Sequence, residues 1–421
     1  MRPSRASSPW ILLALLLSAV TINYIDRGSL SVAAPLISQQ FSLDEIQTGW
    51  LLSAFFWSYA LFQLVAGWLV DRYDVKWVYA LGFLMWSLAM AATGFVTTFS
   101  ALLIARLLLG IGESVNYPAC AKILARQFPE HERGFANGLV DAGSKIGPAL
   151  STLIGGLVVD RFGWPALFIG MGIGSLFWLL PWIFFMPSMT TRQKKEKVVS
   201  PSMLRILSVK EAWGTSLGMF ALGYVWYFLL TWLPTYLVKE RHLSMTMMAL
   251  LGSLPFWGMA LTSILGGWVS DQLIARGGTP TRVRKTFIIG GLLCCSVLMQ
   301  GAAYVKDNSV SMILLVGASL SLGVFTSNVW AVTQTLAGPS AAGKWAGIQN
   351  CIGNLGGVMS PPITGWIVAK TGSFFFAFTA ASTMLLFGIL AYIVFVPKIV
   401  PIAWGELGKS ERPMPEPKPA A

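Results

Sequence analysis

Twelve long apolar stretches, separated by short polar ones, leave this chain few ways to fold. They lie near residues 10–35, 47–70, 77–96, 100–124, 134–159, 164–186, 213–237, 246–271, 285–305, 310–335, 344–368 and 373–396. A helix needs about 20 mostly apolar residues to cross a bilayer, and each stretch reaches that length. Hydrocarbon offers the backbone no hydrogen bonds, so each crossing must satisfy its own and is predicted to be helical. The expectation is an all-α integral membrane protein with twelve transmembrane helices. Composition agrees: 55% of the residues are apolar and 11% charged, where a soluble domain carries roughly 25% charge.

The net charge of +12 invites a nucleic-acid partner, but the placement of the basic residues argues against one. Twenty-two of the thirty Lys and Arg fall at the N-terminus, in the even-numbered loops and in the C-terminal tail. The odd-numbered loops hold only Arg161, Lys239, Arg241, Lys306 and Lys370. By the positive-inside rule, both termini and the basic 187–212 loop are cytoplasmic. Arg2 and Arg5 ahead of an apolar run imitate a signal peptide, but the run is too long and continues through Asp26 and Arg27, so an uncleaved first span is expected.

Enzyme chemistry finds no support. His131 and His242 fall in loops without a cluster, and Cys120, Cys294, Cys295 and Cys351 sit in or beside apolar spans, where free Cys packs as a small hydrophobe. No catalytic set, metal site or cofactor is expected. A receptor usually brings a signalling domain, and the 397–421 tail is short and Pro-rich.

The chain also repeats itself. Residues 53–71 and 253–271 align without a gap, and eight of nineteen positions are identical, from Ser53/Ser253 and Trp57/Trp257 to Gly67/Gly267 and Asp71/Asp271. Spans 5 and 11 echo each other more weakly, Gly155-Gly156…Phe162-Gly163 against Thr364-Gly365…Thr371-Gly372. Six spans separate the copies, so both run in the same direction. The layout is two pseudo-symmetric six-helix bundles, 1–186 and 213–396, joined by the 187–212 linker and followed by the 397–421 tail. Substrate sites in such duplicated proteins lie near mid-membrane between the halves.

Six ionisable residues lie within spans, all in the first half: Asp26, Arg27, Arg106, Glu113, Asp141 and Lys145. A charge near mid-bilayer costs at least about 2.5–3.5 kcal/mol and faces protein or a watery cavity. Asp26 and Arg27 point about 100° apart on a helix, so they need different partners. Arg106 precedes Glu113 by two turns on one face and can pair with Glu113 or with Asp26. Asp141 and Lys145 are spaced to touch. They are either a self-neutralising pair, or Lys145 supplies a second positive charge for a diacid. Neutral polar and aromatic groups stand opposite in the second half: Trp226, Tyr227, Ser327, Asn328, Trp330, Gln349, Asn350 and Asn354.

Gly67-Trp-Leu-Val-Asp71-Arg72-Tyr-Asp-Val-Lys76 resembles the loop 2–3 signature GxxxDRxGxK of the major facilitator superfamily, with Asp74 where that pattern prefers Gly. Four further pieces resemble its anion:cation symporter branch, nearest to galactonate- and hexuronate-type carriers. They are Asn23-Tyr24-Ile25-Asp26-Arg27, Arg106…Gly110-Ile-Gly112-Glu113, Phe128-Pro-Glu-His-Glu-Arg133 and Leu230-Thr-Trp-Leu-Pro234. The resemblance implies proton-coupled import of a small organic anion, such as a hexuronate, an aldonate or glucarate; a monomer in a bacterial inner membrane is the default expectation.

It also implies roles. Glu113 carries the proton, the alternative being a permanently paired structural carboxylate; from its place in the span alone, Asp26 is a second protonation site or a fixed counter-ion to Arg106. Arg27 binds the substrate carboxylate, which its planar fork matches. Tyr24 and Tyr59 add hydroxyls or merely pack, and Ser327 and Asn350 bind substrate from the second half with Trp226, Tyr227 and Trp330 nearby. Asp71, Arg72 and Arg133 latch the cytoplasmic ends, with Arg106 and Asp141 as further ion-pair partners. Proton-antiport efflux shares the fold and the loop signature, but a site for cationic drugs would not favour three buried basic residues.

Overall fold

The computed structural model describes residues 8–128, 130–188 and 201–404. Arg2 and Arg5, most of the linker and the tail beyond residue 404 lie outside the described residues. The chain is helical almost throughout. In order come α1 (Pro9–Gln40), α2 (Glu45–Arg72), α3 (Val75–Thr93), α4 (Phe99–Glu113), α5 (Asn116–Gln127) and α6 (Glu130–Leu150). A π segment (Ser151–Gly155) leads into α7 (Gly156–Leu176) and α8 (Leu179–Phe185). After α9 (Met203–Leu207) follow α10 (Lys210–Lys239), α11 (Met245–Ala275), α12 (Pro280–Tyr304), α13 (Asn308–Thr371) and α14 (Phe375–Phe395).

Local chemistry sets the ends. Asp44 and Gln47 close a reciprocal capping box on α2, with the Gln47 amide donating to Asp44 Oδ1 at 2.7 Å. Asp74 is explained in the same way: its carboxylate caps α3 by accepting from the Lys76 amide at 3.0 Å. Two turns are cut by glycines in the left-handed region, Gly163 (φ 77°) within α7 and Gly338 (φ 64°) within α13. Only glycine adopts that backbone without strain. With those breaks, α4–α5 form one rod, α6 to Gly163 a second, and the rest of α7 with α8 a third. The described residues then trace twelve long rods. Large apolar side chains such as Leu61, Phe177, Phe184 and Ile264 stand exposed on their outer faces, an arrangement suited to lipid.

The described ends of the linker and of the tail pack against the second half. α10 begins inside the expected linker, and Lys344 Nζ holds the Pro201 carbonyl at 2.8 Å. Residues 397–404 fold back over the Gly338 turn. There the Ile402 amide donates to Leu336 O at 3.0 Å and Trp404 Nε1 to Ala337 O at 2.8 Å.

The halves meet at the end opposite the chain termini. Lys239 Nζ bonds Glu45 Oε1 at 3.0 Å, Thr246 donates to Asp160 at 2.7 Å, and Ser53 donates to the Val358 carbonyl at 2.8 Å. The repeat-related helices α2 and α11 do the bridging, α2 against the second limb of α13 and α11 against α6 and α7. Toward the termini the halves part, and Gly138 and Gly347 border open space.

The closed end depends on close backbone approach. A Cβ on Gly49 would sit 2.7 Å from the Pro361 carbonyl oxygen. Gly49→Val is therefore expected to force the halves apart there. Overpacking of about 1–3 kcal/mol shifts the closed-to-open ratio by about fivefold to about 150-fold. Labels placed on the 41–44 and 240–244 turns should report a longer separation; an unchanged distance contradicts the gate.

Candidate functional site

The first-half charges gather where α1 crosses α4. Arg27 Nε donates to Glu113 Oε2 at 2.8 Å, with side-chain exposures of 2% and 0%. The guanidinium lies over the rings of Tyr24, Phe55 and Tyr59, at 4.6, 4.7 and 4.4 Å from their centroids. Such cation–π contacts hold a partly desolvated cation, and three rings fix its plane. Arg27 Nη2 and Glu113 Oε1 have no hydrogen-bond partner among the described residues. Arg27 and Arg106 together line a small pocket with Leu52, Phe55, Phe56 and, from the second half, Thr231.

Asp26 is fully buried, and neither carboxyl oxygen has a hydrogen-bond partner among the described residues; Asn23, one turn below, is fully buried too. Arg106 departs from expectation. Among the described residues it pairs with neither Glu113 nor Asp26, but donates to Thr93 Oγ1 at 3.2 Å and lies 5.3 Å over Phe168. Helical side chains lean toward the helix N-terminus. Arg106 therefore leans away from Glu113, toward α3 and α7, although the two share a face. Its place beside Glu113 is taken by Arg27.

Lys145 and Asp141 do touch, Nζ to Oδ2 at 2.5 Å. Tyr24 is held by a residue the sequence reading missed, Tyr117, hydroxyl to hydroxyl at 3.2 Å. Tyr117 lies four residues past Glu113, a spacing that places it on the same side of the rod. Tyr59 accepts from Gln63 at 3.2 Å and stacks on Phe55.

In the second half, Tyr227 packs edge-on against Phe56, with centroids 4.4 Å apart, and donates to Asn354 Oδ1 at 2.8 Å. The Asn354 amide in turn donates to the Asn350 carbonyl at 2.9 Å. Asn350 and Trp330 are half-buried, and Trp226 packs on Phe256. Asn328 serves a latch instead: Arg284 bridges Asn328 Oδ1 (3.0 Å), Ser270 (3.1 Å) and Asp271 (2.8 Å). Asp271 is the repeat counterpart of Asp71. The side chains of Asp71, Arg133 and Ser327 lie outside the described residues, and Arg72 lies over the Trp68 ring.

The arrangement is thus a caged, carboxylate-paired guanidinium at the seam of two helix bundles, with a second lysine–carboxylate pair on α6. The sequence profile of the Major Facilitator Superfamily matches residues 16–361. The chain is 30% identical over 424 residues to a D-galactonate transporter of Escherichia coli O6:H1, covering 94% of this chain and 98% of that one. It is 32% identical over 402 residues to a hexuronate transporter of Bacillus subtilis, covering 93% and 95%. Among solved structures, a bacterial homolog of the human lysosomal transporter Spinster superposes with a TM-score of 0.79 at 19% identity, covering 94% of this chain and 98% of that one.

Proposed function

The chain belongs to the major facilitator superfamily and is a multi-pass membrane transporter, and from that premise we propose that it imports a small organic anion of the sugar-acid type by proton symport. The buried Arg27–Glu113 pair carries this reading. A carboxylate engages the Arg27 guanidinium through Nε at the seam, and a substrate carboxylate is chemically the same partner. Glu113 cannot withdraw into water to make room, because nothing of it is exposed. A proton on Glu113 removes the competing charge and releases Arg27. Asp26, buried with no donor among the described residues, is the second place where a proton rides.

The cycle follows from these parts. With the outer end open, a protonated Glu113 leaves Arg27 free to take the anion. Closure of the end seen here brings Tyr227, Asn350 and Asn354 toward the bound polyol. On the terminal side the anion and the proton leave, and Glu113 returns to Arg27. The relatives named for galactonate and hexuronate support the substrate class.

A thermal-shift screen of the purified protein against organic acids, at acid and at neutral pH, tests this. Ligands that bind only the folded state raise its stability by mass action. Sugar acids are expected to stabilise the protein, more strongly at acid pH. In proteoliposomes an inward proton gradient should drive their accumulation. Stabilisation by hydrophobic cations and not by acids would replace symport with efflux.

A further inference from the structure

Two cation–carboxylate pairs described on the spans of the first half differ in one respect that bears on the substrate. In the Arg27–Glu113 pair both partners are buried. In the Lys145–Asp141 pair the ammonium is anchored, with its side chain 11% exposed, while the carboxylate is 51% exposed. Asn137, Asp141 and Lys145 form a polar stripe along α6, and Asn137 and Asp141 stand exposed. A charged stripe on a membrane helix faces water, not acyl chains. The α6 face at Gly143 and Gly147 rests on Leu17, Thr21 and Tyr24 of α1, so the stripe borders the helix that carries Arg27, and the water it meets is that between the halves. Gly147 rests on Thr21 and Tyr24 of α1, which places Lys145 nearer the open end than Arg27.

With its carboxylate 51% exposed, this pair is held less firmly than a fully buried one. Asp141 can turn into water and leave Lys145 to another anion, with no proton needed. Glu113 has no such exit. The site thus offers two cations at different depths, one released by protonation and one by simple displacement. From the second half, the hydrogen-bonded Tyr227 and Asn354 bring neutral polar groups, which suit hydroxyls better than a second carboxylate.

We propose that Lys145 receives a second acidic group of the substrate, with Asp141 as its displaceable counter-ion, so that the carrier selects organic dianions over monoanions of the same skeleton. The proposal rests on Arg27 as the first anion ligand.

The test uses D-glucarate and D-gluconate, a diacid and a monoacid that share one polyol chain, titrated into the purified full-length protein. The wild-type chain is expected to bind glucarate at least about tenfold more tightly. Lys145→Gln should bring the ratio of the two affinities near one. Asp141→Asn, which leaves Lys145 in place without its internal competitor, should tighten glucarate binding, a gain that no folding defect produces. Equal affinity of the wild type for both acids, or a preference that survives Lys145→Gln, overturns the proposal and leaves the symport reading standing. Binding of neither acid overturns the proposal, and stabilisation by hydrophobic cations alone overturns both.

Discussion

Glutamine in place of Glu113 is expected to uncouple the carrier. Accumulation driven by a proton gradient should fall to the equilibrium level, while exchange of labelled for unlabelled substrate continues. The reason lies in the burial of the pair. Moving an ionised Glu113 away from Arg27 strands a charge in an apolar setting, which costs several kcal/mol. In the wild type only protonation avoids that cost, so loading the anion requires loading a proton. Glutamine has nearly the same shape and is permanently neutral, so it imitates the loaded carboxyl. Arg27 then stays free whatever the pH. The sign of the pH effect follows. In the wild type, acidification favours neutral Glu113 and substrate affinity rises as pH falls. In Glu113→Gln affinity is flat and stays at the acid limit. At neutral pH the variant should bind about tenfold more tightly or better, once about 1.4 kcal/mol of competing attraction is gone. Titration across pH and flux in proteoliposomes measure the two halves of this claim. Gradient-driven accumulation equal to the wild type would remove Glu113 from the coupling.

What could be read from the sequence divides by distance along the chain. The Asp141–Lys145 contact was legible, because helix geometry alone brings i and i+4 together. The bundles were legible through their apolar lengths and through the repeat that makes α2 and α11 equivalent. Arg27 and Glu113 were each marked as functional, but their pairing was not foreseen. It depends on how α1 and α4 cross, which no local spacing encodes. Arg106 was misjudged because shared face was counted and side-chain direction was not. The aromatic cage had only half a signal: Tyr24 and Tyr59 carry hydroxyls that drew notice, whereas Phe55, an equal member, reads as one apolar residue among many. The fold-back of residues 397–404 was hidden for the same reason, since a Pro-rich end looks alike whether it packs or not.

Arg27 carries the second large expectation, and its obvious variant is the wrong one to make alone. Arg27→Ala leaves Glu113 buried without a partner, and breaking a buried pair in this way costs about 3–5 kcal/mol. A loss of binding would then be indistinguishable from a loss of fold. The paired variant Arg27→Ala with Glu113→Gln removes both charges and should remain folded. Its affinity for any acid that stabilises the wild type is expected to fall at least about 100-fold. Two charge-assisted hydrogen bonds at roughly 1.5–3 kcal/mol each are lost, and each 1.4 kcal/mol is about tenfold. Arg27→Lys separates charge from shape. Lysine keeps the positive charge but has neither the fork that meets a carboxylate at two points nor the flat face that lies against Tyr24, Phe55 and Tyr59. An intermediate loss, about tenfold, is expected. If the paired variant binds as the wild type does, the caged guanidinium is a structural cation, and the anion must be held by Lys145 instead.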